Sequence, residues 1–263
     1  MIIIGEKLNS SIKSVRAAVE SRDAAFVQDL ARRQTEAGAA WLDINAATLP
    51  DEVDSLVWMG ETCRAVCDTP LCIDSPDPAA VGAALERLGG GCMINSITLE
   101  ENRYNAMIAL AKQYDCPLVA LCMDDNGMPE TPEDRIRIAK ALSDRLIADG
   151  IDPQKVFIDP MLSPVGVVET AGQDALAVIR CLSDELPTHI TCGLSNISYG
   201  LPARPNINRA FAVAAMTCGL DSAIVNPLDT QLMRLVYAAD AVLGNDEYCE
   251  NYIDAYRDGF FDD

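Results

Sequence analysis

Eight short apolar runs recur along the chain, and longer segments with a helical period separate them. The runs are almost continuously apolar and do not alternate with polar residues, which is typical of parallel strands covered by helices on the outside. We therefore predict eight parallel strands, at residues 1–5, 41–45, 71–74, 92–95, 117–123, 156–159, 189–194 and 222–225.

The segments between the runs repeat their apolar residues every three or four positions, as amphipathic helices do. Two such faces consist of Phe26, Val27, Leu30, Ala31 and Ala37, and of Ala175, Val178, Ile179 and Leu182. Asp77 and Thr131 each stand directly before a proline. We expect both residues to cap helix N-termini, because proline favours the first helical position.

Strands that alternate with helices predict an α/β fold. No change of composition and no long linker divides residues 1–263. We therefore predict a single (β/α)8 TIM barrel, a fold that uses about 250 residues as one domain. An open, doubly wound sheet is the alternative, because periodicity does not reveal whether a sheet closes. The acidic, aromatic segment 252–263 is expected to form a last helix with a frayed end.

The chain carries 40 acidic and 20 basic residues, which gives a net charge of −20. Such a surface repels phosphate backbones and anionic lipids, so it argues against nucleic acids and membranes as partners. No apolar run reaches the roughly 20 residues that cross a bilayer, and the chain opens as a strand without a charged leader. We therefore expect a soluble, cytoplasmic protein.

Ten cysteines and one histidine limit the available chemistry. Several cysteines lie in apolar runs, where a reduced thiol behaves as a small hydrophobic group, so no disulfide framework is expected. Cys63 and Cys67 are one helical turn apart, but no Cys-x-x-Cys pair occurs and His189 is the only histidine. We therefore expect no metal site. The scarcity of histidine also removes the usual general base and the triads built on it.

Each predicted strand ends at a carboxylate or carboxamide side chain. These residues are Glu6, Asp43, Asn45, Asp74, Asn95, Asp124, Asp159, Asn196 and Asn226, with Ser75, Ser96 and Ser198 beside them. The carboxyl ends of the strands carry the active site in barrels of this type. A ring of acceptors with few cations suits a neutral heterocycle rich in N–H groups, such as a 2-amino-4-oxopterin.

The same residues also have a structural interpretation, because Asp and Asn cap helices and form turns at strand ends. This interpretation is strongest for Asp159 and Asn226, each of which precedes a proline. A phosphosugar fits less well, because the triple glycine at 89–91 precedes the fourth strand and not a phosphate-binding helix. Lys7 is a candidate Schiff-base lysine, but a solvated or anion-steering lysine is favoured.

Seven segments resemble, in order and over essentially the whole chain, the methyltetrahydrofolate:corrinoid protein methyltransferases. They are IIIGEKLN (2–9), LDIN (42–45), LCIDS (71–75), MINS (93–96), FIDP (157–160), GLSNIS (193–198) and RPNINR (204–209). The resemblance implies a pterin-binding barrel that acts on tetrahydrofolate or 5-methyltetrahydrofolate. It also implies a cobalt corrinoid carried by a partner protein, no protein-bound metal, and a homodimer. Dihydropteroate synthase is a more distant relative, and the opening GEKLN argues against that branch.

By this resemblance, Asp74, Asn95 and Asp159 bind the pterin and Asn196 faces N5. A hydrogen bond that strengthens as the N5–methyl bond breaks would lower the barrier, whereas the proton itself must come through water. Arg204 matches a family arginine, which either orients the site or the folate's anionic tail, or packs structurally at the rim. The remaining expected contacts are Glu6, Asp43, Asn45, Ser96, Met123, Ser198, Tyr199 and Asn226.

One position departs from the family pattern. Members that methylate a corrinoid/iron–sulfur protein carry a glutamine three residues after the asparagine, where this chain has Tyr199. The difference favours the direction from a methylated corrinoid protein to tetrahydrofolate. Segments 161–168 and 199–202 are expected either to contact the corrinoid protein or only to cover helix ends. The alternative functions are another enzyme on this barrel, either a pterin synthase or a phosphosugar aldolase, and a non-catalytic module that binds folate or the corrinoid protein.

Overall fold

The computed structural model describes residues 1–262 and contains one eight-stranded parallel sheet. The strands are β1 (Ile2–Asn9), β2 (Trp41–Asn45), β3 (Leu71–Asp74), β4 (Cys92–Ile97), β5 (Leu118–Leu121), β6 (Val156–Asp159), β7 (His189–Ile190) and β8 (Ser222–Val225). They pair in the order β7-β6-β5-β4-β3-β2-β1-β8. Beyond the short β7, Gly193 bridges to Ile224 of β8, and Ile224 N donates to the carbonyl of Cys192 at 2.9 Å. The predicted (β/α)8 barrel is therefore confirmed, and the open sheet is wrong.

Helices follow the strands on the outside of the barrel. They are α1 (Lys13–Glu20), α2 (Ala24–Glu36), α3 (Glu52–Arg64), α4 (Pro78–Leu88), α5 (Glu101–Tyr114), α6 (Pro132–Ala148), α7 (Ala171–Glu185), α8 (Arg204–Thr217), α9 (Thr230–Leu243) and α10 (Glu250–Arg257). Both predicted caps are confirmed, because Asp77 accepts from Ala79 N and Thr131 accepts from Asp134 N. The predicted last helix corresponds to α10, whereas Asp263 at the expected frayed end lies outside the described residues.

The core has two parts, which explains why the strands read as continuously apolar. A large cluster lies between the strands and the helices, and a separate small cluster fills the barrel. The small cluster consists of Ile4, Cys72, Met93, Val119 and Phe157. Successive residues of a strand point to opposite faces, so the residue two positions further on also points inward. On four of these strands that residue is polar: Glu6, Asp74, Asn95 and Asp159. The polar ring is therefore the top layer of the barrel interior.

Strand β1 is longer than predicted and contains a bulge. Gly5 pairs with Leu42 and Leu8 pairs with Ile44, so the two residues Glu6 and Lys7 stand opposite one residue of β2. Bulges of this kind re-aim side chains near functional sites. After the bulge the alternation resumes, and Asn9 pairs with Asn45.

Strands β5 and β7 are shorter than predicted. The predicted seventh strand covered residues 189–194, but pairing ends at Ile190 because a short 3-10 helix, Leu194–Ser198, begins soon after it. We call this 3-10 helix the Asn196 turn. The predicted fifth strand covered residues 117–123, whereas β5 ends at Leu121 and leaves Met123 in the following loop.

The cysteines are buried or half-buried thiols in the described part of the chain. All ten are free, and six of them are buried. Burial raises the pKa of Cys63 to about 12, so its reactive thiolate form is scarce at neutral pH. Among residues 1–262, no three His, Cys, Asp or Glu side chains come together as metal ligands. In the same range, no helix is long and apolar enough to cross a membrane.

Candidate functional site

The carboxyl ends of the strands surround an open cavity of about 790 Å³. Nine of the predicted site residues line it: Glu6, Asp43, Asp74, Asn95, Ser96, Asp159, Asn196, Arg204 and Asn226. Four others, Asn45, Met123, Ser198 and Tyr199, do not line it. The cavity wall also contains polar residues that the sequence did not indicate, among them Asn9, Arg103, Ser195, Asn208 and Asp229. Lys7, the candidate Schiff-base or anion-steering lysine, lines it as well.

Amide groups hold two of the cavity carboxylates. Asn95 Nδ2 donates to Asp43 Oδ2 at 3.1 Å, and Asn45 Nδ2 donates to Asp74 Oδ2 at 2.8 Å. Strand register produces the second contact, because Asn45 of β2 pairs directly with Asp74 of β3. Asn45 therefore supports Asp74 and does not itself face the cavity.

Four of the cavity carboxyl groups, Glu6, Asp43, Asp74 and Asp159, are buried or half-buried. Burial raises the pKa of each, because it disfavours the charged form. The pKa of Asp43 lies well above its ordinary range, through burial and the nearby charge of Asp74. Burial raises the pKa of Asp74 to about 6, against an opposing hydrogen bond from Asn45. Burial also raises the pKa of Glu6. A ligand that donates N–H groups would stabilise the charged forms.

The carboxylate of Asp159 stabilises a turn and also lines the cavity. Its Oδ1 accepts from Met161 N at 2.8 Å, and its Oδ2 accepts from Gly193 N at 3.2 Å. Burial raises the pKa of this carboxyl to about 6 against these two hydrogen bonds. Each carboxylate oxygen has a second lone pair, so Asp159 can still accept from a ligand. Asn226 similarly caps a turn, with Oδ1 accepting from Leu228 N at 3.1 Å, and lines the cavity.

Side-chain hydrogen bonds to β1 and from α8 hold the Asn196 turn in place. Ser195 Oγ donates to Glu6 Oε2 of β1 at 3.0 Å. From α8, Arg204 donates to the carbonyl of Ser195 at 2.6 Å and to Ser198 Oγ at 3.1 Å. Ser198 Oγ in turn donates to Asn208 Oδ1 at 2.6 Å. Ser198 is therefore part of the support of the turn, and Arg204 orients it.

The carboxamide of Asn196 is free to bind a ligand. The residue is exposed and lines the cavity, and its side-chain carboxamide makes no hydrogen bond to any of residues 1–262. Its Nδ2 lies close over Gly193, where an added Cβ would be 2.9 Å away. A glycine at this position therefore allows the amide to fold back over the cavity.

Arg103 joins the loops after β3 and β4. Two guanidinium nitrogens donate to the single carbonyl of Ser96, at 3.0 and 3.1 Å, and the third donates to the carbonyl of Pro76 at 2.9 Å. These bonds fix the loops that follow Asp74 and Asn95. The sequence offered no signal for this role, because Arg103 lies within an ordinary helical pattern at the start of α5.

Exposed apolar side chains lie on the loops beside the cavity. Met128, Val167 and Tyr199 are 66%, 77% and 67% exposed, on the loops after β5, β6 and β7. The last two loops contact each other, because Val165 N donates to the carbonyl of Ile197 at 3.0 Å. Tyr199 therefore lies on an apolar rim outside the cavity.

The raised carboxyl pKa values predict that the ligand-free protein is more stable at pH 5 than at pH 7.5. A carboxyl whose folded pKa is raised contributes stability below its unfolded pKa, near 4, and loses it as pH rises through the folded pKa, about 6 for Asp159. The full loss for one such group is about 3 kcal/mol, and roughly half of it falls between pH 5 and pH 7.5. Urea unfolding at both pH values measures it.

Asp159→Asn should reduce this pH dependence, whereas Asp184→Asn on the exposed surface of α7 should not. Equal stability of the wild type at the two pH values would contradict the prediction.

The fold and the site together define a class of protein: a (β/α)8 barrel whose mouth presents buried hydrogen-bond acceptors to a small ligand. Residues 5–226 match the model of the family described as pterin binding enzymes, and the chain belongs to this family. It is 38% identical to the methylcorrinoid:tetrahydrofolate methyltransferase of Eubacterium limosum, over 98% of this chain and 97% of that protein. It is also 31% identical to the methionine synthase of Mycobacterium tuberculosis, over 86% of this chain but only 20% of that protein.

Solved structures show the same fold at lower identity. A dihydropteroate synthase from Xanthomonas albilineans in complex with 7,8-dihydropteroate superposes with a TM-score of 0.71 over 94% of each chain, at 22% identity. A Yersinia pestis dihydropteroate synthase gives a TM-score of 0.68 at 20% identity, covering 92% of this chain and 94% of that one. At these identities the likeness supports the barrel fold and does not assign an activity.

Proposed function

We propose that the protein is an enzyme that transfers a methyl group between the cobalt of a corrinoid protein and N5 of tetrahydrofolate. The observation that carries the proposal is the free carboxamide of Asn196 at the mouth of an acceptor-lined cavity. The relative from Eubacterium limosum, which matches this chain over nearly its full length, supports the same activity by its name.

The pterin ring would bind to the buried acceptors. Asp74, Asn95 and Asp159 line one cavity. Asp74 and Asp159 are the last residues of β3 and β6, and Asn95 lies two residues before the end of β4. A ring N–H and the adjacent exocyclic amine form a two-donor edge that a carboxylate accepts in bidentate fashion. A carboxamide can donate to one ring atom and accept from another. The donor groups of the pterin thus match the acceptors of the cavity. Asp43, Glu6, Ser96 and Asn226 complete the wall.

Asn196 would hold N5 in position for methyl transfer. Its carboxamide oxygen can accept from N5–H, which directs the N5 lone pair toward the methyl carbon, and its N–H can donate to N5 in the reverse direction. As the new N5–methyl bond forms, the bond between methyl and cobalt breaks and its electron pair stays with cobalt. The N5 proton leaves through water at the open mouth, because a carboxamide does not exchange a proton at neutral pH. The corrinoid supplies the reactive cobalt, and the barrel supplies orientation.

We further propose that the reaction runs from methylated corrinoid protein to tetrahydrofolate. Tyr199 supports this direction, because relatives that methylate a corrinoid/iron–sulfur protein carry a glutamine at this position. The name of the Eubacterium limosum relative supports it as well. The rim formed by segments 161–168 and 199–202 is the proposed contact for the corrinoid protein, because Val167 and Tyr199 expose apolar surface beside the cavity.

Rates measured in both directions test this proposal. Methylcob(III)alamin with tetrahydrofolate gives the forward rate, and cob(I)alamin with 5-methyltetrahydrofolate gives the reverse rate. We expect a higher kcat/KM in the forward direction. A strong preference for 5-methyltetrahydrofolate as the donor would contradict the direction, and no transfer either way would contradict the activity.

By the same resemblance, we propose that the enzyme is a cytoplasmic homodimer of one-carbon metabolism. Light scattering coupled to size exclusion tests the assembly: a mass twice the 28.3 kDa of the chain is expected. A monomer at working concentrations would contradict it.

Gly193→Ala should slow methyl transfer about tenfold with little loss of folate affinity. The new Cβ would lie 2.9 Å from Asn196 Nδ2, so the amide must move, and such misplacement costs rate more than binding. Single-turnover rates and folate titrations separate the two effects. Gly172→Ala is the matched control, because its Cβ would meet Val165 at an ordinary 3.6 Å. An unchanged rate in Gly193→Ala would show that the amide position is unimportant.

A further inference from the structure

Three cations line the cavity, and only one of them lacks a protein acceptor within residues 1–262. Arg103 donates to backbone carbonyls of the loops after β3 and β4, and Arg204 donates to the Asn196 turn. The ammonium group of Lys7 makes no hydrogen bond or ion pair to any described residue, yet Lys7 lines the cavity. It is therefore available to an anion.

The bulge in β1 fixes the backbone of Lys7 from the outer side. Lys7 N donates to Oε1 of the buried Gln34 in α2 at 3.0 Å. Gln34 can approach this closely because Gly5 has no side chain, and a Cβ there would lie 2.6 Å from Gln34 Oε1. The extra residue of the bulge thus brings Lys7 to the cavity beside Glu6.

From this arrangement we infer that Lys7 binds a carboxylate of the glutamyl tail of the folate, an inference that rests on the proposed function. The tail is attached through C6, the ring atom next to N5. If N5 faces Asn196, the tail leaves the ring beside the Asn196 turn. The hydrogen bond from Ser195 to Glu6 joins this turn to β1, and Lys7 is the next residue in β1. The ammonium group is therefore on the side where the tail emerges.

The charge of the cavity explains why a carboxylate of the tail requires a cation beside it. The cavity wall carries five carboxyl side chains, in a chain with a net charge of −20. Asp229 is ion-paired to Arg209, whereas the other four, Glu6, Asp43, Asp74 and Asp159, form no ion pair with any of residues 1–262. A carboxylate entering this field is repelled unless a cation faces it. Arg204, the candidate for this role by sequence, is occupied by Ser195 and Ser198. Lys7 is the cation that remains.

A comparison of two ligands tests the inference. Tetrahydrofolate has the glutamyl tail, whereas 6-methyltetrahydropterin has the same ring without it. Lys7→Gln should weaken tetrahydrofolate about tenfold, the loss expected for one partly exposed charge-assisted hydrogen bond, and leave 6-methyltetrahydropterin unchanged. KM for tetrahydrofolate should rise by the same factor at constant kcat. Lys13→Gln is the control, because it removes the same charge from an exposed position in α1 outside the cavity.

The experiment distinguishes a wrong role for Lys7 from a wrong function for the protein. Equal weakening of both ligands, or of neither, in Lys7→Gln would overturn the role of Lys7. An equal loss for tetrahydrofolate in Lys13→Gln would also overturn it, because the effect would then be net charge alone. A wild-type protein that binds neither ligand would overturn the proposed function, and the inference with it.

Discussion

Asn196→Ala should lower the rate of methyl transfer about 10²-fold while tetrahydrofolate affinity falls only severalfold. The carboxamide acts at N5, where charge changes as the methyl group moves, so its bond is stronger in the transition state than in the ground state. Removing such a bond lowers the rate far more than binding. The pterin contacts of the cavity wall remain, because Asn196 makes no side-chain hydrogen bond to any of residues 1–262.

Single-turnover kinetics with methylcob(III)alamin and saturating tetrahydrofolate measure this effect directly. Asn206→Ala is the matched control, since Asn206 is an exposed asparagine in the first turn of α8 that does not line the cavity. A variant at Asn196 that keeps the wild-type rate would remove the residue from the mechanism. Loss of affinity as large as the loss of rate would assign it to binding instead.

Asp159→Asn should weaken tetrahydrofolate binding by about 10²-fold or more. Loss of a charged acceptor for the pterin accounts for part of the effect, at about 1.5 to 3 kcal/mol. The rest arises inside the protein, because the two oxygens of Asp159 both accept backbone N–H groups, from Met161 and Gly193. The amide of an asparagine would place two donors against each other at one of these positions.

Calorimetric titration with tetrahydrofolate measures the loss. Asp124→Asn provides the control, because Asp124 also follows a strand and caps a turn, at Asn126 N, but lies outside the cavity. Asp74→Asn offers an independent check. Within residues 1–262 the Asp74 side chain accepts only from Asn45, and its replacement leaves the backbone contacts of Asp159 intact. Wild-type affinity in both cavity variants would contradict the proposed pterin site.

The sequence was sufficient to predict the barrel and much of its polar mouth, because both depend on local periodicity. Cys72 and Asp74, or Phe157 and Asp159, are two positions apart, so an inward apolar residue fixes the direction of the polar one after it. The eight runs also matched the eight strands, with errors only at their ends. Met123 shows the limit, since it lies in the loop after β5 and does not reach the cavity.

The remaining features depend on contacts between distant segments, which periodicity does not encode. The bulge at Glu6 and Lys7 requires the pairing of β1 with β2 and the approach of Gln34 from α2. The supporting role of Asn45 requires the register of β2 on β3. Arg103 donates to loop carbonyls, one of which belongs to Pro76, 27 residues earlier in the chain. No spacing along the sequence indicates such a contact.

The most direct test of methyl transfer is a spectroscopic mixing experiment with methylcob(III)alamin, tetrahydrofolate and the enzyme. If the enzyme transfers the methyl group, the cob(I)alamin absorbance appears only in its presence, and one 5-methyltetrahydrofolate forms for each cobalt demethylated. The rate falls in Asn196→Ala. Saturable tetrahydrofolate binding with no demethylation of the cobalt would contradict methyl transfer, because the protein would then be a folate-binding module without this chemistry.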